Sequence, residues 1–289
     1  MNSASKDVLF LIALELDLPS LLSWCQMNVK INNSVCNNPD VWRRKLSKDY
    51  PYYRIYNLDR SAKDIYILLY RLVLLKKLLN IRESLDEIFY KNFYDLSALG
   101  LKSLPDFDLP NLQNLSLSNN NLKDLPVLNL PNLLVLHLSN NKLTEVPSFN
   151  LPNLQILYLN SNKLTKVPMF NLPNLEELFL SDNKLEKVPA FNLPNLRNLY
   201  LHDNELAEIP SFNLTNLRRF TLSNNNLIKI PVFHLPKLTM LTLYNNQLTK
   251  IPNFNFPHLQ SLFLENNNLS QEEKEKLTEK YGKLNVLTI

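Results

Sequence analysis

A 21-residue period runs through the last two thirds of the chain and limits its possible folds more than any other feature. Eight copies are in register, and each follows its first leucine with Leu at +3 and +5, Asn at +8 and Leu at +10, except that Phe220 replaces one leucine. The first leucines are Leu112, Leu133, Leu154, Leu175, Leu196, Leu217, Leu238 and Leu259. Such self-similarity predicts a solenoid, because each copy can bury its apolar side only by stacking on its neighbours.

The leucine and asparagine columns predict a parallel sheet. Leucines at +3 and +5 point inward along a short strand, and stacked copies place neighbouring strands about 4.8 Å apart. The asparagine lies where the strand ends, and its buried amide can bond to backbone groups of its own coil and the next one. An unpaired buried group costs roughly 1–3 kcal/mol, so we interpret this column as structural. The column comprises Asn120, Asn141, Asn162, Asn183, Asn204, Asn225, Asn246 and Asn267.

Proline at +14 and phenylalanine at +16 describe the return limb of each coil. Proline fixes φ and donates no hydrogen bond, so we expect an extended, mostly helix-free convex side. Burial of each phenylalanine in a stacked spine would contribute about 1.5–3 kcal/mol. The prolines are Pro126, Pro147, Pro168, Pro189, Pro210, Pro231 and Pro252. The phenylalanines are Phe149, Phe170, Phe191, Phe212, Phe233 and Phe254.

Both ends of the array carry sequences typical of caps. A degenerate first copy places Tyr94, Leu96, Leu101, Leu104, Pro105 and Phe107 in the same columns. Downstream, SQEEKEKLTEKYG predicts an amphipathic helix with a capping box from Ser270 to Glu273 and a C-cap at Gly282. The closing LNVLTI predicts one last strand, after which we expect the array to be complete.

The pattern LxxLxLxxNxL over residues 93–289 resembles the leucine-rich repeat family. That resemblance implies a curved solenoid of parallel strands, an α/β solenoid whose convex side is rich in Pro and Phe. The role it implies is binding of a protein partner on the concave face.

The outward position at +4 is where a partner would bind. Exposed aromatic residues on a rigid sheet favour interface hot spots. The alternative is that they are ordinary strand residues, since Tyr, Phe and Thr favour strands. At +4 we expect an unknown protein partner to contact His137, Tyr158, Phe179, Tyr200 and Phe263. Around this column, in repeats four to six, we expect it also to contact the charged residues Glu177, Arg197 and Arg219.

Composition argues against several other functions. With Gly 2 in 289 residues, a glycine-rich phosphate loop, a dinucleotide fingerprint and a GxSxG nucleophile motif are absent, and we expect neither an enzyme nor a cofactor. The four histidines are scattered and no CxxC pair exists, so no metal site is expected. Residues 93–289 hold 17 basic and 17 acidic side chains, which is a poor footprint for nucleic-acid binding.

The sequence predicts neither a signal peptide nor a transmembrane helix. The apolar run near the N-terminus contains Asp7, Glu15 and Asp17 and lacks a basic start, so we do not interpret it as a signal peptide. The sequence contains no stretch of 18 apolar residues, which is the length that would indicate a membrane-spanning helix. Cys25 and Cys36 lie in a helical, apolar region and are expected to be reduced, buried thiols. An intracellular, cytoplasmic location is therefore predicted.

The first third of the chain resembles the F-box family. Asp7-Val8-Leu9, Ile12, Leu16-Asp17, Leu21-Leu22 and Val41-Trp42 occupy the places of that motif. The resemblance implies binding of the Skp-type adaptor of a cullin–RING ubiquitin ligase through Leu9, Ile12, Leu16, Leu22 and Trp42. Ala4-Ser5 stands where the family carries Leu-Pro, which weakens the expectation of adaptor binding. The sequence pattern of this fusion resembles proteins of large DNA viruses. That resemblance would imply that the protein is located in an infected host cell.

These patterns divide the chain into four parts. They are an F-box-like helical domain at 1–50, a helical linker at 51–92, leucine-rich repeats at 93–268, and a capping helix and strand at 269–289. The linker contains a helix that starts at Ser61. The basic residues Arg43, Arg44, Lys45 and Lys48 are expected to form a solvated helix edge.

Two functions fit this organisation. One is a substrate receptor of a ubiquitin ligase, in which the helical head docks the adaptor and the sheet holds a protein substrate. The other is a stand-alone binding or scaffold protein whose helical head only caps the solenoid. Burial of the head helices discriminates between them, because a head packed fully against the 61–92 helix leaves no surface for an adaptor.

Overall fold

The computed structural model describes residues 6–27, 29–53 and 59–289. The chain divides into two compact units, the first extending to Phe89 and including Pro105–Asp108, and the second comprising Tyr90–Leu104 and Leu109–Ile289. The dipeptide Ala4-Ser5 and part of the predicted linker, 54–58, lie outside the described residues. So do the side chains of Asp7 and Phe107.

The first unit is helical. Its elements are α1 (Lys6–Glu15), α2 (Leu18–Met27), α3 (Val29–Ile31), a π-helix (Asn32–Cys36), α4 (Pro39–Asp49), α5 (Ala62–Leu78), α6 (Leu85–Tyr90) and the short strand β2 (Phe107–Asp108). Asn38 caps α4 by accepting a hydrogen bond from the Asp40 N–H at 3.0 Å, with Pro39 in the first turn. Ser61 caps α5 as predicted, accepting from the Asp64 N–H at 3.2 Å.

Helix α4 lies at the centre of this unit and packs on its neighbouring helices. Trp42 is buried, its Nε1 donates a hydrogen bond to the Cys36 carbonyl at 2.9 Å, and its ring packs on Tyr66 of α5 with centroids 5.7 Å apart. Helix α5 packs on α4, and α1 also contacts α4. Trp42 therefore stabilises the unit from inside and offers no surface to an adaptor, contrary to the expectation from the F-box resemblance.

The basic cluster of α4 is only partly a solvated edge. Arg43, Arg44 and Lys48 are exposed, but Lys45 is 2% exposed. The Lys45 ammonium lies 3.3 Å from Asp49 Oδ2 and donates to the Leu14 carbonyl at 3.2 Å. A buried ammonium needs such partners, since an unpaired charge in the interior is strongly disfavoured. The expectation that Lys45 is solvated is wrong.

The two cysteines are buried, as expected, but joined in a disulfide where we expected two reduced thiols. The turn through α3 and the π-helix folds Cys36 back onto α2, which places the two Cα atoms 6.1 Å apart. This separation lies within the range that a disulfide spans. The helical pattern of the sequence between positions 25 and 36 does not indicate that approach.

The second unit is a solenoid whose strands form one parallel sheet. In spatial order these strands are β1 (Phe93–Asp95), β3 (Asn114–Ser116), β5 (Val135–His137), β6 (Ile156–Tyr158), β7 (Glu177–Phe179), β8 (Asn198–Tyr200), β9 (Arg219–Thr221), β10 (Met240–Thr242), β11 (Ser261–Phe263) and β12 (Val286–Thr288). A further short strand, β4, covers Leu128–Asn129. From β3 to β11 the register follows the period, as when Leu157 pairs with both Leu136 and Leu178. The middle residue of each of these strands from β3 to β11 is buried, so the predicted parallel-sheet solenoid is confirmed.

The asparagine column is a continuous hydrogen-bond ladder. Asn183 is typical: its Nδ2 lies 3.0–3.1 Å from the carbonyls of Leu159, Leu180 and Ser181, and its Oδ1 accepts from the Leu164 N–H at 3.0 Å. The amide thus bonds to its own coil and to the preceding one, whereas the sequence suggested the next one. Its structural role is as predicted.

Three residues after its strand, each of the eight coils has a left-handed residue that is not glycine. At +7 of every coil φ lies between 53° and 57°. The residues are Asn119, Asn140, Ser161, Asp182, Asp203, Asn224, Asn245 and Asn266. Asn and Asp tolerate this conformation better than other residues with a Cβ, which explains how a chain with two glycines makes so many tight turns.

The phenylalanine spine lies on the return limbs, which form no helix between Leu109 and Ser270. Rings from Phe149 to Phe254 are buried and stack with successive centroids 5.7 to 6.3 Å apart. On the outward sheet face, ring centroids in successive coils are only 4.3 to 4.4 Å apart. The coils therefore fan out away from the sheet, which makes the sheet face concave.

The last residues of the chain form a helix and a strand at the positions predicted for them. Helix α7 (Gln271–Tyr281) begins with Ser270 accepting from the Glu273 N–H at 3.2 Å and ends at Gly282. Glu273 does not close the capping box described by the sequence pattern, since its Oε1 accepts from the Ile251 N–H at 3.1 Å. The helix is thereby tied to the preceding coil, and β12 then covers the edge of the sheet beside β11.

Candidate protein-binding surfaces

The concave face carries a column of stacked aromatic rings at +4. His137, Tyr158, Phe179 and Tyr200 stack with centroids 4.3, 4.4 and 4.4 Å apart and interplanar angles of 7°, 16° and 8°. Parallel strands one period apart impose this spacing, since each ring stands on the same register position. We call these four residues the ring column. Its rings are half-buried, because each covers the face of the next and leaves its edge to solvent.

Burial in the column changes the titration of its polar members. It lowers the pKa of His137, because burial among the neighbouring rings removes water from the imidazole, and the charge of Asp95 acts in the opposite direction. It raises the pKa of Tyr158, and the negative charge of Glu177 acts in the same direction. At neutral pH the column therefore presents neutral ring edges, a phenol hydroxyl and an imidazole.

Charged residues flank the ring column. Glu177 begins β7 and is half-buried, while Arg219 begins β9 and is exposed. Arg197 precedes β8 and lies 3.0 Å from Glu176 in an ion pair between exposed groups. Phe263 occupies the same column position in β11, but Thr221 and Thr242 separate it from the four stacked rings. The concave face thus carries the four stacked rings, Glu177 and Arg219, with Phe263 apart from the stack. Arg197, at +1, lies at the edge that precedes the strands.

Hydroxyl groups continue the column where the rings stop, which the sequence analysis did not predict. His202 Nδ1 lies 2.9 Å from Thr221 Oγ1, and Ser223 Oγ lies 3.5 Å from Thr242 Oγ1. These pairs join +6 of one coil to +4 of the next, 19 residues later. A comparison of position +6 in each coil with position +4 in the next coil would have found these pairs.

A second asparagine ladder also escaped prediction. In this ladder the donor is the asparagine at −1, counted from the first leucine of its coil. Its Nδ2 donates to the backbone carbonyl of the residue at −2 in the preceding coil, at 2.7 to 2.9 Å. Its members are Asn132, Asn153, Asn174, Asn195 and Asn216. The recurrent Asn-Leu dipeptide was the available signal.

The first unit carries an apolar groove between α1 and α2. Its volume is about 590 Å³ and its wall is mainly apolar. The lining residues are Leu9, Ile12, Leu16, Pro19, Ser20, Ser23, Trp24, Met27 and Ile31. Met27 is 70% exposed and Ile12 42%, although both are apolar. Helix α5 packs on α4 and leaves this groove open.

The groove contains three of the five residues expected to contact an adaptor. Ile12 is exposed, Leu16 is half-buried, and Leu9 lines the groove floor at 4% exposure. Leu22 is half-buried but does not line the groove, and Trp42 lies in the core. Trp24, Met27 and Ile31 were not predicted as contacts, because they reach the groove only through the turn between α1 and α2 and, for Ile31, the turn after α2.

Two further properties bear on function. Across the part of the chain that the structure describes, no group of three or more His, Cys, Asp or Glu side chains is arranged to hold a metal ion. Within those same residues, no helix is both long and apolar enough to cross a bilayer.

The sequence matches the family described as leucine-rich repeats (2 copies) in five overlapping or adjacent segments. They are residues 110–151, 131–171, 152–193, 194–233 and 236–275, more than half of the chain. No curated protein matches the sequence.

Solved structures share the fold. YopM of Yersinia enterocolitica is 24% identical with a TM-score of 0.56, covering 77% of this chain and 51% of its own. YopM of Yersinia pestis, a leucine-rich effector protein, is 29% identical with a TM-score of 0.55 over 72% of this chain and 66% of its own. The leucine-rich repeat protein FLRT2, in an octameric complex with latrophilin 3 and Unc5D, is 23% identical with a TM-score of 0.62, covering 70% of each chain. The match thus spans about half the length of the first of these relatives.

Proposed function

Because the chain belongs to the leucine-rich repeat family, we propose that it is a protein-binding protein whose partner docks on the ring column. The observation that carries the proposal is the uninterrupted stack from His137 to Tyr200 on the concave face. Four aromatic side chains held in one row by a rigid sheet need little ordering when a partner binds, which lowers the entropic cost of association. FLRT2, one of the related structures, is itself seen in a complex with other proteins.

The ring column determines what a partner must offer. Its ring faces are covered by one another, so a partner meets hydrogen-rich ring edges and the hydroxyl groups of Tyr158 and Tyr200. Such edges carry partial positive charge and favour carbonyl oxygens and other rings in edge-to-face contact. We expect an extended or loop segment of a protein to bind along this row.

The test compares two double variants with a purified partner found by crosslinking and mass spectrometry. Tyr158→Ser/Phe179→Ser removes the centre of the ring column, and we expect the Kd to rise at least about tenfold. The matched control is Met169→Ser/Val232→Ser, which removes two exposed apolar side chains from the return limbs, 52% and 65% exposed. Equal Kd values for the wild type and the ring-column variant would sink the proposal.

We propose further that the first unit docks an adaptor, which makes the protein a substrate receptor of a cullin–RING ubiquitin ligase. The apolar groove between α1 and α2 supports this, because it remains open although α5 packs on the same unit. The chain itself would perform no chemistry. It would act by holding the substrate near the transferred ubiquitin and so raise the effective concentration of its lysines.

A purified eukaryotic Skp-type adaptor tests this second step directly. Ile12→Asp places a charge in the groove and should abolish capture of the adaptor. Leu11→Asp is the matched control, because Leu11 is 63% exposed on the same helix but does not line the groove. No capture by the wild type would leave the alternative, a stand-alone binding protein whose helical head serves only its own fold. An intracellular location stays a prediction linked to this role.

A further inference from the structure

The edge of the solenoid that precedes each strand changes character along the array. We call the residues at −1 and +1 relative to the first leucine of each coil the leading edge. In coils two to six, position −1 holds an asparagine of the second ladder. In the next three positions Lys237, His258 and Lys283 replace it. At these positions basic side chains thus replace the asparagine amides of the second ladder.

The +1 position changes in the same region. Coils one to three carry Gln113, Leu134 and Gln155, coil four carries Glu176, and coils five and six carry Arg197 and Arg218. Glu176 is the one acidic side chain at −1 or +1 of these coils, and it pairs with Arg197 at 3.0 Å. The leading edge therefore offers no acidic neighbour to four basic residues: Arg218, Lys237, His258 and Lys283.

A pocket of about 480 Å³ opens among these residues. It is lined by Arg218, Lys237, Thr239, Pro257, His258, Leu259 and Gln260, with no carboxylate in its wall. The Thr239 hydroxyl donates to the Arg218 carbonyl at 2.9 Å, and the Lys237 ammonium donates to Asn216 Oδ1 at 2.7 Å. These bonds position the backbone of Arg218 and the side chain of Lys237. A guanidinium, an ammonium, an imidazole and a carboxamide surround one cavity.

We propose that this pocket binds an acidic segment of the protein partner, through carboxylate or phosphate oxygens that contact Arg218 and Lys237. The inference rests on the proposed function, since the segment would belong to the protein that lies on the ring column. Arginine forms paired, geometrically matched hydrogen bonds with both kinds of oxyanion. Gln260 adds an amide donor, and Leu259 and Pro257 supply an apolar wall for the peptide backbone.

A peptide fits these observations better than a nucleic acid. A nucleic acid presents a phosphate at every nucleotide and needs a long basic track or aromatic faces on which bases stack. Here the basic residues occupy four coils, residues 93–289 as a whole are neutral with 17 basic and 17 acidic side chains, and the aromatic faces are covered by one another. A short acidic stretch matches the size of the pocket.

Fluorescence anisotropy on the full chain provides the test, with fluorescein-labelled octaglutamate and a phosphoserine-containing octapeptide as probes. Arg218→Glu/Lys237→Glu should weaken binding of the preferred probe at least about tenfold, the loss of one charge-assisted contact or more. The matched control, Lys142→Glu/Lys163→Glu, makes the same change in net charge at exposed sites of coils two and three. Arg218→Gln/Lys237→Gln repeats the test without charge reversal, and circular dichroism checks the fold of each variant.

The outcomes separate this pocket from the general function. Preference for one probe decides between phosphate and carboxylate, and competition by inorganic phosphate alone shows how much of the binding comes from the oxyanion. Equal losses in both charge-reversal variants would reveal a general electrostatic effect and overturn the proposal. So would failure of both probes to bind, or tighter binding of a single-stranded oligonucleotide. None of these results touches the ring-column test, whose variants leave Arg218 and Lys237 unchanged.

Discussion

In each coil the asparagine at +8 links neighbouring coils through several hydrogen bonds to the backbone. The amide of Asn183 contacts four backbone groups, three carbonyls and one N–H, drawn from two coils. Asn174, on the leading edge, contacts one carbonyl and is exposed. The two asparagines therefore differ in burial and in the number of backbone groups that would lose their partner.

We expect Asn183→Ala to lower the free energy of unfolding by about 3 kcal/mol, because buried backbone groups lose their partners. Asn174→Ala should lower it by less than about 1 kcal/mol, since water replaces an exposed hydrogen bond. Urea unfolding followed by circular dichroism measures both. Equal losses would contradict the structural role of the buried column.

His137 supplies a pH-dependent term. Its pKa is lowered by burial in the folded chain, so its contribution to stability is present above the unfolded value of about 6.5 and is lost as the pH falls through the folded pKa. NMR titration of the imidazole should show a midpoint below about 6.5. Tyr158→Ala should raise this midpoint by admitting water, whereas Phe263→Ala should not change it. A wild-type midpoint above the ordinary value would refute the effect of burial.

Sequence reasoning at this scale succeeds where a residue repeats and fails where it does not. The Asn column was predicted from eight copies and the Phe column from six, because each copy repeats the same environment. Trp42 and Lys45 occur once, and nothing in α4 alone reveals that α5 covers the first and that Asp49 and the Leu14 carbonyl hold the second.

Among the elements, the π-helix Asn32–Cys36 has the clearest energetic consequence. It brings Cys36 to Cys25 on α2, and α2 forms one wall of the apolar groove. The covalent link therefore restrains the groove wall relative to the turn that follows it. The sequence could not show this, because a π-helix differs from an α-helix by a hydrogen-bond shift that no periodic pattern marks.

Reduction of the disulfide should lower the free energy of unfolding of the first unit by about 3 kcal/mol, the entropy of closing a loop of this length. Thermal unfolding with and without dithiothreitol measures the change. The Cys25→Ser/Cys36→Ser variant should resemble the reduced protein and should not respond to the reductant. Two thiols titratable in the native, unreduced protein would contradict the disulfide itself.

At the scale of the whole solenoid, the constant register makes the coils interchangeable. Between β3 and β11, neighbouring strands of the large sheet pair at a distance of 21 residues, and the asparagine and phenylalanine columns follow the same step. A segment of one period can therefore be removed without moving any inward side chain to the outside.

Deletion of residues 175–195 should leave a folded solenoid with one strand fewer and a lower melting temperature. Deletion of 176–195, one residue less, should prevent cooperative folding, because a slip of one position turns the inward residues outward. Circular dichroism and thermal unfolding distinguish the two variants. Similar melting curves would show that the register is less strict than the pairing implies.

The candidate surfaces were predictable to different degrees for reasons that also belong to this scale. The ring column follows from the period, since every +4 residue must lie on one face. The leading-edge pocket does not, because it arises where the columns at −1 and +1 depart from the consensus over neighbouring coils. The groove of the first unit needed the fold itself, since Ile12 and Met27 meet only after the chain reverses between α1 and α2.

The same interchangeability has a genetic side. Coils that share most of their residues can be encoded by similar stretches of DNA, and stretches that are similar enough recombine by unequal crossing-over. Each event adds or removes a whole coil and joins an intact strand to an intact neighbour, so the products remain foldable. Events between Leu133 and Leu196 would lengthen or shorten the aromatic row itself. Selection on such a gene can thus adjust the reach of its product toward a partner before it changes any single contact.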